Sequence, residues 1–211
     1  MSSTIAVIGA TGKSGQYLVK TLLQQGYTLR LLLRTPEKFT QHHPLVSIYK
    51  GDVTDAKDVL ALVKGCSAII STLGQPQNQP PVFSTAASNI IKAMHTHHIQ
   101  RYIAVTGLSI DIPGDKKSTH ITQLSQWMQQ TYPAIIADKQ KEYQTLANSA
   151  IDWTLVRLPV IEQTEARYNM AVSLYDCPGE KISATDLAFF LIEQLYNKQY
   201  IGKAPFIANV S

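Results

Sequence analysis

Glycine stands at every third position of Gly9-Ala10-Thr11-Gly12-Lys13-Ser14-Gly15, immediately after the apolar run TIAVI at 4–8. Without a Cβ the chain turns tightly and its N–H groups come close to an anion, and a helix that begins in such a turn adds the positive end of its dipole. This is pyrophosphate-cradling chemistry. The spacing is G-x-x-G-x-x-G rather than the commoner G-x-G-x-x-G, but apolar strand, glycine turn and helix follow in the order that a dinucleotide fingerprint needs. Gly12-Lys13-Ser14 also matches the end of a triphosphate-binding loop. That loop requires glycine five positions before Gly12, where Val7 stands, so half of its cradle is missing.

The second apolar run, TLRLLL at 28–33, is followed by Arg34. An Asp or Glu there would accept hydrogen bonds from a free ribose hydroxyl, whereas arginine favours a 2′-phosphate, and Lys38 one helical turn on adds a second positive charge. The cofactor expected is NADP(H) in preference to NAD(H), held by Gly9, Thr11, Gly12, Lys13, Ser14, Gly15, Arg34 and Lys38. After the third run, Asp52 and Val53 lie where a short side chain meets the adenine edge; Asp52 serves equally well as the cap of a helix starting near Asp55. Gly107-Leu108-Ser109-Ile110-Asp111 lacks the glycine two places after serine that a nucleophile elbow needs. His95, His97 and His98 fall at a helix end, where cations suit the dipole, and without nearby cysteines no metal is expected. Neither Cys66 nor Cys177 has a neighbour that would lower a thiol pKa.

A repeated strand and helix pattern must position these groups. Strands are expected at 4–8, 28–33, 46–49, 67–71, 101–106 and 153–157, continuous apolar runs of the kind buried on both faces of a parallel sheet. Helices are expected at 13–25, 55–64, 82–98, 119–130, 137–149 and 184–197. In the third, Val82, Phe83, Ala86, Ala87, Ile90, Ile91 and Met94 form one stripe. Ser183 and Asp186 resemble a cap ahead of Leu187, Ala188, Leu191 and Leu195. Trp153 is expected in the core, and Trp127 in helix packing or a pocket wall. Segments 74–81 and 159–182 lack periodicity and follow strand ends, where open α/β sheets bind ligands, so both are expected to line the substrate pocket. The alternation predicts a Rossmann-type α/β fold, a doubly wound parallel sheet in a single domain over 1–211, with a small C-terminal substrate-side lobe.

Composition excludes several functions. At 211 residues, 45% hydrophobic and 16% charged, the chain suits one folded domain. The net charge is +4, yet the basic residues are dispersed and make no nucleic-acid-binding run. No apolar stretch approaches the roughly 20 residues of a membrane span. With two cysteines and no basic leader before the first strand, a cytoplasmic protein without a membrane partner is expected, as monomer or small homo-oligomer.

The ordered set GATGKSG at 9–15, LLLR at 31–34, GDVTD at 51–55, STLG at 71–74, the run from Lys139 through Ser149 to DWTLVRLP at 152–159, and ISATDLA at 182–188 resembles the atypical short-chain dehydrogenase/reductases of the NmrA-like and biliverdin reductase B/flavin reductase type. The resemblance implies that Leu73, Gly74 and Gln75 pass the pyrophosphate and nicotinamide side of the cofactor. It also implies that Thr106, Gly107 and Ser109 lie beneath the nicotinamide, with Pro159 and Val160 covering it. Lys139 falls where ordinary members carry the lysine of Tyr-x-x-x-Lys, but Ile135 stands in place of the tyrosine. None of the ten tyrosines has a lysine four residues later.

That tyrosine gives its proton to a substrate carbonyl, so ordinary ketone chemistry is not expected. The expected enzyme is a reductase passing hydride from NADPH to a flavin, quinone or similar conjugated acceptor, with Ser109 or Lys139 the residues nearest a catalytic role. A non-catalytic NADP(H)-binding redox sensor uses the same glycine turn and is the alternative.

Overall fold

The computed structural model describes residues 3–40, 43–75 and 78–210. β1 (Thr4–Ile8) leads through the glycine turn into α1 (Gly15–Gln24). β2 (Thr28–Leu33), β3 (Val46–Lys50), α2 (Ala56–Val63), β4 (Ala68–Ser71), α3 (Phe83–His97) and β5 (Arg101–Gly107) continue the alternation. Two helices, α4 (Thr119–Thr131) and α5 (Pro133–Ala147), precede β6 (Asp152–Leu158). Three short strands follow, β7 (Val160–Glu162), β8 (Met170–Ser173) and β9 (Lys181–Ser183), then α6 (Ala184–Glu193) and β10 (Phe206–Asn209). One sheet runs β3-β2-β1-β4-β5-β6-β10-β8, and β7 pairs separately with β9.

The sheet is parallel except for its last pair, β10 with β8. Strand side chains alternate between faces, and β1 shows both cores at once. Ile5 and Val7 join α1 and α6 on one side through Leu18, Leu22, Leu187 and Leu191. Ala6 and Ile8 join α2, α3 and α5 on the other through Leu62, Ile90 and Leu146. Helices thus cover both faces, as a doubly wound sheet requires. β1 and β4 are neighbours at the centre, with Ile5 opposite Ala68 and Ile8 opposite Ser71. There the strand order reverses, so the loops that follow the two strands diverge and leave a crevice. Among the described residues no helix is long and apolar enough to cross a membrane.

Several elements differ from those expected. α5 begins at Pro133 rather than 137, because proline fits the first turn of a helix, where its missing N–H is not needed. Tyr132 ends α4 and starts α5 in one residue, a break that periodicity does not show. The expected loop 159–182 contains β7, β8 and the start of β9, each three or four residues long and too short to display alternation. Trp127 is 55% exposed on α4, edge-on to Tyr132, and not in packing or a pocket wall. Trp153 is in the core, edge-on to Tyr143, and Ser183 caps α6 by accepting the N–H groups of Thr185 and Asp186.

The C-terminal elements are fastened by a buried ion pair. Arg157, 1% exposed on β6, donates from Nη1 to both oxygens of Asp115 at 2.8 Å. Its Nε donates to the Ala204 carbonyl at 2.8 Å, its Nη2 to the Leu174 carbonyl at 3.3 Å, and its guanidinium stacks 3.5 Å from the Phe206 ring centroid. One side chain therefore ties β6 to β10, to the turn after β8 and to the loop after β5. Asp115→Ala leaves that charge buried and unpaired, at an expected cost of about 3–5 kcal/mol, whereas Asp115→Ala/Arg157→Met is expected to recover much of the loss. Guanidinium chloride midpoints measure both; a loss below about 1 kcal/mol in the single variant would show the clamp to be dispensable.

Candidate functional site

The glycine turn is shaped by contacts that leave no room for side chains. Gly9 has φ +81°, and a Cβ on it would lie 2.6 Å from the Thr72 carbonyl oxygen at the end of β4. A Cβ on Gly15 would lie 2.0 Å from the Gly9 carbonyl oxygen. Gly12 differs, since its Cβ would meet only that same oxygen, at 3.2 Å. Gly12 N–H donates to Gly9 at 3.0 Å, and Thr72 N–H to Ile8 at 2.9 Å, closing the turn against β4. Gly9 and Gly15 are thus demanded by the fold, whereas a side chain on Gly12 would meet only that one carbonyl and otherwise open into the crevice. No side chain caps α1, so its N-terminus faces the crevice without an internal acceptor of that kind.

Two cavities share this wall. The first, about 300 Å³, runs from the glycine turn past Arg34 and Thr35 after β2 and Gly51 and Val53 after β3. The second, about 390 Å³, lies between Gly12, Lys13 and Ser14 on one side and Thr106, Gly107, Lys139, Leu158, Pro159 and Ile161 on the other. Gly12 and the chain from Thr72 to Gln75 border both. Added Cβ atoms at Gly74 and Gly107 would meet nothing within 4 Å, so backbone is left open to the cleft. Two chambers joined at an uncapped helix N-terminus fit a molecule of two nucleosides linked by pyrophosphate.

Most residues expected from the sequence fall in these walls: Gly9, Thr11, Gly12, Arg34, Val53, Leu73, Gly74 and Gln75 in the first, and Lys13, Ser14, Thr106, Gly107, Lys139 and Pro159 in the second. Gly15 lies behind them in the contact with Gly9. The side chain of Lys38 is outside the described residues. Asp52 is not the cap of α2; Asp55 is, accepting from Lys57 N–H at 2.8 Å. Asp52 instead accepts from the N–H and hydroxyl of Thr54 at 2.8 and 2.7 Å. Partial burial works to raise its carboxyl, but those two bonds and the Arg34 charge outweigh it and hold the group below the ordinary carboxylate value. Ser109 is 2% exposed and borders neither cavity, because the turn after β5 carries it inward beside buried Ile110. Val160 is 71% exposed and also outside both walls, since the strand alternation that turns Pro159 and Ile161 inward turns it out. Burial pushes both thiols up, Cys66 to about 11.

The least expected feature lies behind the second cavity. Lys139 Nζ is 3.4 Å from Thr106 Oγ1 and 3.7 Å from the Phe83 ring centroid. Burial pushes its ammonium below the ordinary lysine value, opposed by the charges of Glu142 and Asp138. Asp138 ties α5 to the start of α3, where Oδ2 accepts the N–H groups of Phe83 and Ser84 at 2.8 and 3.2 Å and Oδ1 accepts the Ser84 hydroxyl. Glu142 is 4% exposed, and its Oε2 has no hydrogen-bond partner among the described residues. Burial pushes its carboxyl up to about 7, with Lys139 opposing and Asp138 adding to the rise. From β5 the buried Tyr102 phenol faces the same carboxyl, and burial and that charge raise it against the pull of a hydrogen bond with Ser71. The signal was present in the sequence: Ile136, Lys139, Glu142 and Leu146 recur at helical spacing, so the inward stripe of α5 carries two charges.

A glutamate whose pKa is raised by folding keeps its full contribution to stability below its ordinary value near 4.5, and loses it as pH climbs through about 7. Glu142→Gln should therefore match the parent protein at about pH 4.5 and exceed its stability at about pH 8.5 by on the order of 3 kcal/mol. Thermal unfolding at both pH values measures the difference. Equal stability at the higher pH would mean that the carboxyl is solvated or partnered.

Comparison with known proteins agrees with this geometry. A family model described as NAD(P)H-binding matches residues 9–198. The chain is 30% identical to cinnamoyl-CoA reductase 2 of Medicago truncatula over 94 residues, 41% of this chain and 28% of that one. It is 31% identical to an isoflavone reductase homolog of Nicotiana tabacum over 111 residues, 48% and 34% of the two chains. The matched region thus spans about a third of the length of these curated relatives. Among solved structures, ChuY, an anaerobillin reductase from Escherichia coli O157:H7, superposes with a TM-score of 0.81 at 19% identity, covering 98% of this chain and 97% of that one. A short-chain dehydrogenase/reductase from Veillonella parvula in complex with NADP gives 0.79 at 16% identity, covering 99% and 95%. With a fingerprint turn, two chambers on either side of it and a family match over most of its length, the chain belongs to the NAD(P)H-binding family.

Proposed function

We propose that this protein is an NADPH-dependent reductase of a planar, conjugated acceptor of the flavin or quinone class. One observation carries the reading: the acceptor-side cavity has the lysine of the ordinary dehydrogenase pair but no tyrosine among its described walls. Bound dihydronicotinamide supplies a hydride. The anion that a quinone or flavin becomes on taking it is delocalised and tolerates a proton that arrives afterwards, whereas a ketone needs an acid at its oxygen as the hydride moves. Leu158, Pro159 and Ile161 give the cavity an apolar wall that suits a flat ring system and keeps water from the transferring hydride. The reductase names of the curated relatives support the class of reaction, not the acceptor.

Arg34 carries the choice of NADPH over NADH. It is exposed at the carboxyl end of β2, borders the first cavity, and donates to Gln79 Oε1 at 3.0 Å. A 2′-phosphate in front of it would gain charge-assisted bonds of about 1.5–3 kcal/mol, a preference of roughly ten to a hundredfold. Arg34→Asp is expected to erase or reverse that preference, measured by calorimetric titration with both dinucleotides. Equal affinity of the parent protein for the two would make Arg34 a solvated surface residue.

Steady-state NADPH oxidation across quinones, free flavin and simple ketones tests the reaction itself. Turnover is expected with the first two and little with ketones. Efficient ketone reduction would sink this mechanism, and tight NADPH binding with silence on every acceptor would favour a redox sensor.

A further inference from the structure

We propose that Gln79 is a positioning residue for the dinucleotide site: it holds the Arg34 guanidinium at the first cavity, in a pose that grips a 2′-phosphate, and so helps to set the choice of NADPH over NADH. The inference rests on the cofactor reading above, in which Arg34 meets that phosphate. It goes further by naming what keeps a long, exposed side chain in place.

Arg34 follows β2 and Gln75 follows β4, and both border the first cavity. β1 lies between those strands, which therefore run about 10 Å apart on either side of the glycine turn. Gln79 joins the two walls. Its Oε1 accepts from Arg34 Nη1 at 3.0 Å, and its backbone carbonyl accepts from Gln75 Nε2 at 2.8 Å. A guanidinium carries N–H donors and no acceptor, so the oxygen of the Gln79 amide is the atom that must face it. That bond engages one nitrogen. Nε and Nη2 keep N–H groups in the same rigid plane, enough for two oxygens of a phosphate.

Without Gln79, Arg34 has another attraction. After β3 stands Asp52, whose carboxylate is fixed on the N–H and hydroxyl of Thr54 and feels the Arg34 charge. Asp52 does not border the first cavity. An arginine free to turn is drawn toward that negative charge and away from the cavity. Gln79 opposes the swing with a neutral group, which puts no charge beside an incoming phosphate. Ordering a flexible side chain before its ligand arrives spares the complex that entropy cost. NADH lacks the phosphate and gains nothing from the arrangement.

Calorimetric titration of the full chain with NADPH, NADH and the nicotinamide-free fragments 2′,5′-ADP and 5′-AMP tests this without turnover. Gln79→Ala should weaken NADPH and 2′,5′-ADP about three- to tenfold, the worth of one such hydrogen bond, and leave NADH and 5′-AMP within about twofold. Gln79→Glu keeps an acceptor for Arg34 but sets a negative charge beside the phosphate. NADPH should then weaken by more than in Gln79→Ala, with NADH again unmoved. In an Arg34→Ala background Gln79→Ala should change nothing further, because its effect runs through the guanidinium. Equal weakening of all the ligands would make Gln79 a prop for the chain after β4 and overturn the proposal. So would unchanged or tighter NADPH binding in Gln79→Ala, or a loss that persists in the Arg34→Ala background. If Arg34→Asp leaves the NADPH preference intact, the cofactor reading fails and the role of Gln79 falls with it. If Arg34→Asp erases the preference and Gln79→Ala does not touch it, only the role of Gln79 fails.

Discussion

The Gly9 carbonyl oxygen occupies the space where any side chain on Gly15 would sit, with only 2.0 Å to an ideal Cβ. Because that oxygen is so close, α1 begins directly over the end of β1, and its N-terminus points into the gap between β1 and β4. Because Gly9 itself takes a positive φ and lies against Thr72, the end of β4 cannot move away. Both cavities are built on this contact, since Gly12 and Thr72 to Gln75 are their common wall. The remaining strands, β2 and β3 on one side and β5 and β6 on the other, supply the outer walls by parallel pairing that carries every carboxyl end to the same edge.

Buried charge is used in two ways at this edge. Arg157 and Asp115 are mutually satisfied, one guanidinium nitrogen bridging both carboxylate oxygens and the other two reaching carbonyl acceptors, so their work is to hold the last third of the chain to the sheet just before Leu158 and Pro159 enter the cleft. Lys139 and Glu142 are not satisfied in that manner: the lysine has one long contact to a hydroxyl and an aromatic face, and the glutamate retains an unpartnered oxygen. A pair that served only to fasten helices would be expected to close its bonds, because an open buried polar group costs stability without return. Asp138, on the same helix, is the fastening residue, and it closes all of its bonds on α3.

The proposed reductase reading turns on the wall of the second cavity, where ketone and quinone chemistry would part company. Ile135 in the place of the tyrosine removes an acid, but the lysine one helical turn away still borders the second cavity. Protonation then becomes separate in time from hydride transfer, which a delocalised anion permits and an alkoxide does not. In the proposed reductase, that separation and the apolar wall would together select the acceptor.

By itself the sequence determined the glycine turn, the first six parallel strands to within a residue or so, both faces of the sheet and most of the residues that line the two cavities. These follow from short-range physics: glycine spacing dictates a turn, and continuous apolar runs dictate burial on two sides. It also fixed the missing tyrosine, which is a matter of one residue type at one offset. Only the tertiary structure decided that Ser109 turns into the core, that Val160 turns out to solvent, and that 159–182 contributes strands instead of open loop. Each depends on partners far along the chain, β10 for β8 and β9 for β7, and on three- or four-residue segments that have no period to read. The Arg157 clamp and the open carboxyl of Glu142 were hidden for the same reason: whether a buried charge is paired depends on what the fold brings to it, and residues 115 and 157 meet only once the sheet is assembled.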